Sequence, residues 1–227
     1  MEQLVDTFGR VHRDLRISVT DRCNFRCTYC MPEEGMNWLP RNDLLSFEEI
    51  ERIASVLVQR FGVDSIRLTG GEPTIRARMT LLVEKLAALG TDLAMTTNAT
   101  TLRLLAPELK QAGLKRLNVS LDSLKAERFF AMTRRDELAT VLDGIDAALE
   151  AGFDPVKINC VVMRGTNDDE IVDFATWARE LGVVMRFIEF MPLDADNAWT
   201  NETVMSKAEI VERINAVYPL TPVQRTS

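Results

Sequence analysis

The stretch Leu15-Arg-Ile-Ser-Val-Thr-Asp-Arg-Cys23-Asn-Phe-Arg-Cys27-Thr-Tyr-Cys30 decides the fold. It begins with an alternation of apolar and polar residues over Leu15–Thr20, which predicts a β-strand. Further strands are predicted at Ser65–Thr69, Leu93–Thr97, Arg116–Ser120, Val156–Val162 and Val184–Phe190. Amphipathic helical patterns alternate with them, at Phe47–Arg60, Thr80–Leu89, Leu102–Ala112, Leu138–Ala151 and Asp168–Leu181. Such alternation predicts parallel βα units. Six units are fewer than the eight of a closed barrel, so the predicted fold class is α/β, a partial (βα)6 TIM-like barrel.

Capping boxes predict where three helices begin. They are Ser46 with Glu49, Asn167 with Glu170, and Ser206 with Glu209 before a last helix near Lys207–Val217. No low-complexity segment or linker divides the chain. The sequence therefore predicts a single domain over residues 1–227, with the barrel in about residues 1–200 and the start of a C-terminal region in 201–227.

Polar residues occupy one face of most predicted strands. Arg16, Ser18 and Thr20 share a parity in the first strand, and Ser65, Arg67 and Thr69 share one in the second. Later strands continue the pattern with Thr96, Asn98, Asn118, Ser120, Lys157 and Asn159. A period of two sends such side chains to a barrel interior, which predicts a polar ligand cavity. The sixth strand fits less cleanly, because Arg186 shares its parity with Ile188 and Phe190.

Composition excludes several function classes. The chain has 227 residues, with 27 Lys and Arg against 34 Asp and Glu, for a formal charge of −7. This balance argues against a general nucleic-acid or membrane-surface binder. No long apolar run predicts a membrane span. The first residues carry neither a basic start nor an apolar stretch, so a cytoplasmic location is expected.

The three clustered cysteines indicate a metal or cofactor site. Their spacing is C-x3-C-x2-C at Cys23, Cys27 and Cys30. A four-iron cluster held by three thiolates keeps one iron open for another ligand. One alternative is a zinc site, which usually takes a fourth Cys or His nearby, and the single histidine, His12, lies upstream of the strand. The other alternative is chance clustering of the three cysteines.

The motif, with Tyr29 before the last cysteine, resembles the signature of the radical S-adenosylmethionine (SAM) superfamily. Gly70-Gly71-Glu72-Pro73 after the second strand is similar to the glycine-rich motif that receives the methionyl amino group of SAM there. Leu15 to Pro32, Ile66–Pro73, Leu117–Asp122 and Arg186–Pro192 further resemble blocks of the GTP 3′,8-cyclase family (molybdenum cofactor biosynthesis protein A). The resemblance runs from about Arg13 onward.

This resemblance implies a cofactor pair and a reaction. A reduced [4Fe–4S] cluster would cleave SAM to a 5′-deoxyadenosyl radical that abstracts the ribose 3′ hydrogen of GTP. The carbon radical would then attack C8 of guanine. The implied activity is that of a lyase in molybdenum cofactor biosynthesis that forms (8S)-3′,8-cyclo-7,8-dihydroguanosine 5′-triphosphate.

The resemblance also implies site residues. Cys23, Cys27 and Cys30 would hold the cluster, and the residues beside SAM would be Tyr29, Gly71, Glu72, Ser120 and Met191. The residues that would bind GTP are Arg16, Arg67, Thr96, Lys157 and Arg186. Guanidinium groups suit a triphosphate, and Arg16, Arg67 and Lys157 fall on the polar parity. Ion pairing with carboxylates at the barrel rim is the alternative for these three side chains.

Partners follow from the same resemblance. GTP is the implied substrate, flavodoxin or ferredoxin the electron donor, and a homodimer the implied assembly. Two alternatives stay open: another radical SAM enzyme with a different substrate, and a non-catalytic iron–sulfur or zinc-binding remnant.

Two positions depart from the family pattern. Ala99 stands where the family has glycine, so a positive φ there would strain the loop. Relatives also continue into a region with three more cysteines for a second cluster, whereas this sequence ends at Ser227 with Cys160 as its only other cysteine. The chain as given is therefore expected to bind cluster and SAM but to convert GTP poorly.

Overall fold

A computed structural model describes residues 2–32, 36–192 and 199–223. Residues 224–227 of the predicted C-terminal region lie outside the described residues. Within those ranges, no helix is long and apolar enough to cross a membrane.

The six predicted strands are present and belong to one sheet, in the order of the sequence. Their bounds are β1 (Asp14–Ser18), β2 (Ser65–Thr69), β3 (Asp92–Thr97), β4 (Arg116–Ser120), β5 (Val156–Val162) and β6 (Val184–Glu189). The first strand ends two residues earlier than predicted, although the Val19 amide still donates to the Thr69 carbonyl at 2.9 Å. The pairs β1–β2, β2–β3, β3–β4 and β5–β6 are parallel.

Seven helices accompany the strands in the described residues. They are α1 (Phe47–Phe61), α2 (Met79–Ala87), α3 (Leu102–Gln111), α4 (Ala126–Thr133), α5 (Leu138–Glu150), α6 (Ile171–Leu181) and α7 (Lys207–Asn215). The sequence did not predict α4, an eight-residue helix. Its short length leaves little periodicity to read.

The described residues fall into two compact units. The first contains residues 2–25, 36–120 and 139–156, and the second contains residues 26–32, 121–138, 157–192 and 199–223. In the first unit, the buried apolar residues include Ile66, Leu68, Leu93 and Leu117 of β2–β4, Leu82 of α2 and Leu109 of α3. Each such side chain contributes roughly 1.5–3 kcal/mol when fully buried.

The second unit has its own core. Met132, Met163 and Phe190 form a cluster against which Tyr29, Val161 and Trp199 pack. Trp199 also donates its indole N–H to the Phe190 carbonyl at 3.0 Å. These contacts surround the residues that follow β5 and β6.

Two of the three predicted capping boxes are confirmed. Ser46 caps α1 together with Glu49, and Ser206 caps α7 together with Glu209. The third is wrong, because Asn167 makes no side-chain cap. A 3-10 turn over Asp168–Glu170 precedes α6, so the helix begins at Ile171 rather than at Asp168.

The polar face of the strands follows the predicted period of two. In β2 the apolar Ile66 and Leu68 are buried while Arg67 between them is half-buried, and β5 alternates in the same way. In the first unit, Arg16 of β1 lies opposite Arg67 of β2 in the parallel register. Thr96 of β3 likewise lies opposite Asn118 of β4. Paired residues of parallel strands point to the same face, so these side chains share a face.

Candidate functional site

The cysteine loop begins in the first unit, directly after the end of β1. Cys23 accepts a hydrogen bond at its Sγ from the Phe25 amide, at 3.3 Å. This hydrogen bond fixes the sulfur relative to the main chain of the loop.

Cys27 and Cys30 lie in a tight turn of the second unit. The Cys27 carbonyl accepts hydrogen bonds from the amides of Cys30, at 2.9 Å, and of Met31, at 3.0 Å. The Thr28 amide donates to the Met132 carbonyl of α4 at 2.9 Å. The unpredicted helix α4 thus anchors the turn that carries two cysteines.

The donor set consists of three cysteine thiols, the set that holds a four-iron cluster with one open iron. Within the described ranges, no three His, Cys, Asp or Glu side chains are grouped so as to hold one metal ion. Zinc brings all its ligand atoms to about 2.0–2.3 Å from one centre. In a cluster each thiolate binds a different iron, so the three sulfur atoms need not meet at one point.

Tyr29, between the two cysteines of that turn, is fixed by a buried aspartate. Its hydroxyl donates to Asp122 Oδ2 at 2.5 Å, and Asp122 Oδ1 accepts from the Val161 amide at 2.8 Å. Burial raises the pKa of Asp122 to about 6, although the hydrogen bonds from Tyr29 and Val161 oppose the shift. Burial, followed by the charge of Asp122, also raises the pKa of Cys30 and that of Tyr29.

The raised pKa of Asp122 predicts a pH dependence of stability. The folded state binds the proton more tightly than the unfolded state, so stability falls as pH rises from about 4 to about 6. The shift from 3.8 to about 6 corresponds to at most about 3 kcal/mol. Asp122→Asn keeps an oxygen for the Val161 amide, and we expect it to remove this loss in urea unfolding of the cluster-free chain at pH 4.5 and 7.5. Asp146→Asn on exposed helix surface is the control, and equal pH profiles for the two variants would contradict the assignment.

Asn167, the residue wrongly predicted as a helix cap, forms side-chain hydrogen bonds with three main-chain groups of the second unit. Its Nδ2 donates to the carbonyls of Asp122, at 2.7 Å, and Val161, at 2.9 Å. Its Oδ1 accepts from the Met163 amide at 2.8 Å. Asn167 therefore links the main chain at Asp122, the partner of Tyr29, to the main chain at the end of β5.

Glu170 completes this network from a position with 0% exposure. Its carboxylate accepts from the Leu124 amide at 2.7 Å, the Ser123 hydroxyl at 2.8 Å and Arg128 at 2.6 Å. The loop after Asp122 is thus held by a charge-assisted network. The sequence showed only an Asn followed by three acidic residues, a pattern that also suits a helix start.

The Gly70-Gly71-Glu72-Pro73 turn lies directly against the chain that leads to Cys23. The Gly71 amide donates to the Thr20 carbonyl at 2.7 Å, and the Glu72 amide donates to the Arg22 carbonyl at 2.8 Å. A Cβ on Gly71 would lie 2.2 Å from the Arg22 oxygen. Only glycine permits this close approach.

The Glu72 carboxylate is buried, with 1% of the residue exposed. Oε1 accepts from the Thr74 amide, the Thr74 hydroxyl and the Thr97 hydroxyl, at 3.0, 2.6 and 2.7 Å. Oε2 accepts from the Asn98 amide at 2.6 Å. Burial raises the pKa of Glu72 despite these donors. The carboxylate therefore joins the turn to the end of β3, which leaves main-chain atoms of the turn for any contact with SAM.

The loop after β3 also holds the cysteine segment. Asn98 donates from Nδ2 to Asn24 Oδ1 at 2.7 Å, and Asn24 donates to Thr100 Oγ1 at 2.8 Å. Ala99 has φ +66° and is fully buried. The expected strain at this position, where the resemblance calls for glycine, is therefore confirmed.

The remaining predicted residues lie at or after strand positions. Ser120 is the last residue of β4, and Met191 follows β6 with 52% exposure. In the second unit Arg186 pairs with Asn159, which places it on the same face of the strands as Lys157. The register thus answers the parity question that the sequence left open for Arg186. The roles of these residues toward SAM and GTP stay predictions.

The sequence of this chain matches a known protein family. The profile described as Radical SAM superfamily matches residues 17–178. The chain belongs to the radical SAM superfamily. This confirms the resemblance seen in the sequence, and with it the partial-barrel fold class and the predicted cofactors of the family, a [4Fe–4S] cluster and SAM.

Several curated relatives carry the name GTP 3′,8-cyclase. This chain is 49% identical over 220 residues to "GTP 3′,8-cyclase" of Streptomyces coelicolor and 49% identical over 225 residues to that of Rhodopirellula baltica. It is 47% identical over 220 residues to "GTP 3′,8-cyclase, mitochondrial" of Arabidopsis thaliana. These alignments cover 96–98% of the chain but only 64%, 63% and 56% of the relatives.

Several solved structures share the fold. The methylornithine synthase PylB superposes with a TM-score of 0.67 at 15% identity, over 91% of this chain and 62% of that one. Streptococcus suis SuiB bound to the precursor peptide SuiA also gives 0.67, at 19% identity over 90% and 44%. At these identities the likeness shows the fold alone.

Proposed function

We propose that this protein is a GTP 3′,8-cyclase, converting GTP to (8S)-3′,8-cyclo-7,8-dihydroguanosine 5′-triphosphate in molybdenum cofactor biosynthesis. The observation that carries the proposal is near-50% identity to proteins of that name over almost the whole chain. The chain spans less than two thirds of those relatives.

The chain's own residues would bind and orient the reactants. When bound, the cluster and SAM supply a 5′-deoxyadenosyl radical. We assign the cluster to the thiolates of Cys23, Cys27 and Cys30, and SAM to the main chain of the Gly71 turn together with Tyr29, Ser120 and Met191. The Tyr29–Asp122 hydrogen bond would keep the aromatic ring in one orientation.

GTP binding is assigned to cationic side chains on the polar strand faces. These are Arg16 and Arg67, with Thr96, in the first unit, and Lys157 and Arg186 in the second. Fork-shaped guanidinium donors match phosphate oxygens, and each charge-assisted hydrogen bond is worth about 1.5–3 kcal/mol. The adjacency of Arg16 and Arg67 in register supports this assignment.

The decisive experiment measures 5′-deoxyadenosine and the cyclised nucleotide formed anaerobically by the full-length protein with SAM, reductant and GTP. We expect both products in equal amounts with GTP, and we expect GTP deuterated at C3′ to transfer its deuterium to 5′-deoxyadenosine. Release of 5′-deoxyadenosine that ignores GTP would contradict the proposal.

A variant tests the substrate contacts. Arg67→Gln is expected to raise the KM for GTP about tenfold or more, because one charge-assisted hydrogen bond is worth that factor. Arg13→Gln removes the same charge from an exposed residue that faces Asp64 at 3.6 Å and should leave KM unchanged. Equal KM values for the two variants would contradict the role of Arg67.

The implied partners belong to the same proposal. The reaction needs a one-electron donor, for which we assign flavodoxin or ferredoxin, and we propose a homodimer in the cytoplasm. Light scattering after size exclusion, with a mass of two chains expected, tests the assembly.

A further inference from the structure

A cleft in the first unit carries charge that the proposed catalytic residues do not use. Its volume is about 910 Å3, and its wall includes Arg22, Arg41, Arg76, Arg78 and Lys85 against the carboxylates Glu48 and Glu49. It lies beside the chain that leads to Cys23, because Thr20 and Arg22 are among its lining residues.

Two of the five cations are already engaged. Arg76 donates to the carbonyls of Val19 and Leu45, both at 2.6 Å, and its guanidinium lies 4.5 Å from the centre of the Phe47 ring. Lys85 pairs with Glu51 at 2.5 Å. These two side chains build the wall of the cleft.

The other three cations have no such partner. Among the residues that the structure describes, the side chains of Arg22, Arg41 and Arg78 form no hydrogen bond or ion pair, and all three residues are exposed. Burial, followed by the like charge of Arg41, lowers the pKa of Arg76. A group of unneutralised guanidiniums favours an anionic surface as its partner.

The shape of the cleft suits a protein better than an enclosed small molecule. Small-molecule sites bury most of the ligand in a largely apolar pocket, whereas this cleft is open and has charged walls. Leu44 and Ile75, the latter 38% exposed, add apolar surface among the arginines. An apolar centre with a charged rim in which Arg is enriched is typical of protein interfaces.

We propose that Arg22, Arg41 and Arg78 form the docking surface for an acidic one-electron carrier protein that reduces the cluster. The inference rests on the proposed function, because that chemistry needs such a donor. One electron leaves the reduced carrier and is accepted by the oxidised [4Fe–4S]2+ cluster, which becomes [4Fe–4S]+, and no bond or proton is exchanged. Arg22 directly precedes the ligand Cys23, so the carrier docks beside the cluster segment.

Because of the net charge of the chain, the position of the three arginines decides where an acidic carrier protein can dock. The chain as a whole carries a formal charge of −7 and repels an acidic protein. Only a patch of reversed sign attracts one, and such steering sets where and how fast the partners meet. The rate of electron delivery should therefore depend on these three arginines and on ionic strength.

The test compares two reductants on the reconstituted chain, without GTP and without turnover. Stopped-flow absorbance follows cluster reduction by reduced flavodoxin and by reduced methyl viologen, a small cation that needs no docking surface. The variant is Arg41→Gln with Arg78→Gln, and the matched control is Arg13→Gln with Arg52→Gln, which removes equal charge from exposed residues outside the cleft.

We expect the cleft variant to lose about tenfold in the bimolecular rate with flavodoxin and most of its salt dependence. Its rate with methyl viologen, and both rates of the control, should stay within about twofold of wild type. Equal losses in both double variants, or no loss in the cleft variant, would overturn the proposal while leaving the cyclase assignment intact.

Binding to the cluster-free chain provides a second, independent readout. Calorimetric titration with flavodoxin should give a Kd about tenfold weaker in the cleft variant. Titration with inorganic pyrophosphate tests the other occupant. Saturable pyrophosphate binding that only the cleft variant loses, together with unchanged flavodoxin binding, would make the cleft a small-anion site and overturn the docking role.

Discussion

Gly71→Ala is expected to lower the free energy of unfolding by about 3 kcal/mol, because overpacking of this kind forces backbone shifts. The new Cβ would lie 2.2 Å from the oxygen and 2.5 Å from the carbon of the Arg22 carbonyl. These atoms are main chain and cannot rotate away. The hydrogen bonds from Gly71 to Thr20 and from Glu72 to Arg22 must therefore lengthen, and the turn must move away from the cysteine segment.

The measurement is urea unfolding of the cluster-free chain, followed by SAM titration of the reconstituted protein. Gly152→Ala is the control, because its added Cβ meets nothing within 4 Å and only its φ of +79° is strained. It should cost about 1 kcal/mol and leave SAM affinity unchanged, whereas Gly71→Ala should weaken SAM binding at least about tenfold. A Gly71→Ala chain as stable as the control would contradict the close approach.

Glu72→Ala is expected to cost about 4 kcal/mol, because it leaves the buried amides of Thr74 and Asn98 without an acceptor and creates a cavity. Glu72→Gln should cost roughly half as much. Its remaining oxygen still serves the donors that now bond to Oε1, but its NH2 group faces the Asn98 amide. Comparison of Glu72→Ala with Glu72→Gln distinguishes the loss of hydrogen bonds from the loss of side-chain volume.

The same unfolding measurement checks this order. Glu84→Ala removes a carboxylate from an exposed position of α2 and should change stability by less than about 0.5 kcal/mol. Equal costs for Glu72→Ala and Glu84→Ala would show that the Glu72 carboxylate does not hold the turn to β3.

Local patterns predicted most of the fold. The strands at Ser65–Thr69, Arg116–Ser120 and Val156–Val162 have the predicted bounds, because apolar and polar residues alternate along them. Ser46 and Ser206 were predictable as caps, since each is followed three residues later by a glutamate. The cysteine spacing alone restricted the cofactor to a few chemistries.

Long-range contacts were beyond such patterns. Tyr29 and Asp122 are 93 positions apart, and no local signal links them. Asn167 has the residue types of a cap, but three buried main-chain groups compete for its side chain, and they prevail. Glu72 is part of the glycine-rich motif of the superfamily, but the sequence shows neither its burial nor its four hydrogen-bond donors. Both depend on the folding of β3 beside the turn.

Anaerobic reconstitution with iron and sulfide, followed by EPR of the reduced chain with and without SAM, tests whether Cys23, Cys27 and Cys30 hold a SAM-binding cluster. We expect one reduced [4Fe–4S] signal that changes when SAM is added and is absent in the Cys27→Ser variant, while Cys160→Ser behaves as wild type. No cluster, or a signal indifferent to SAM, would contradict the assignment of these three cysteines.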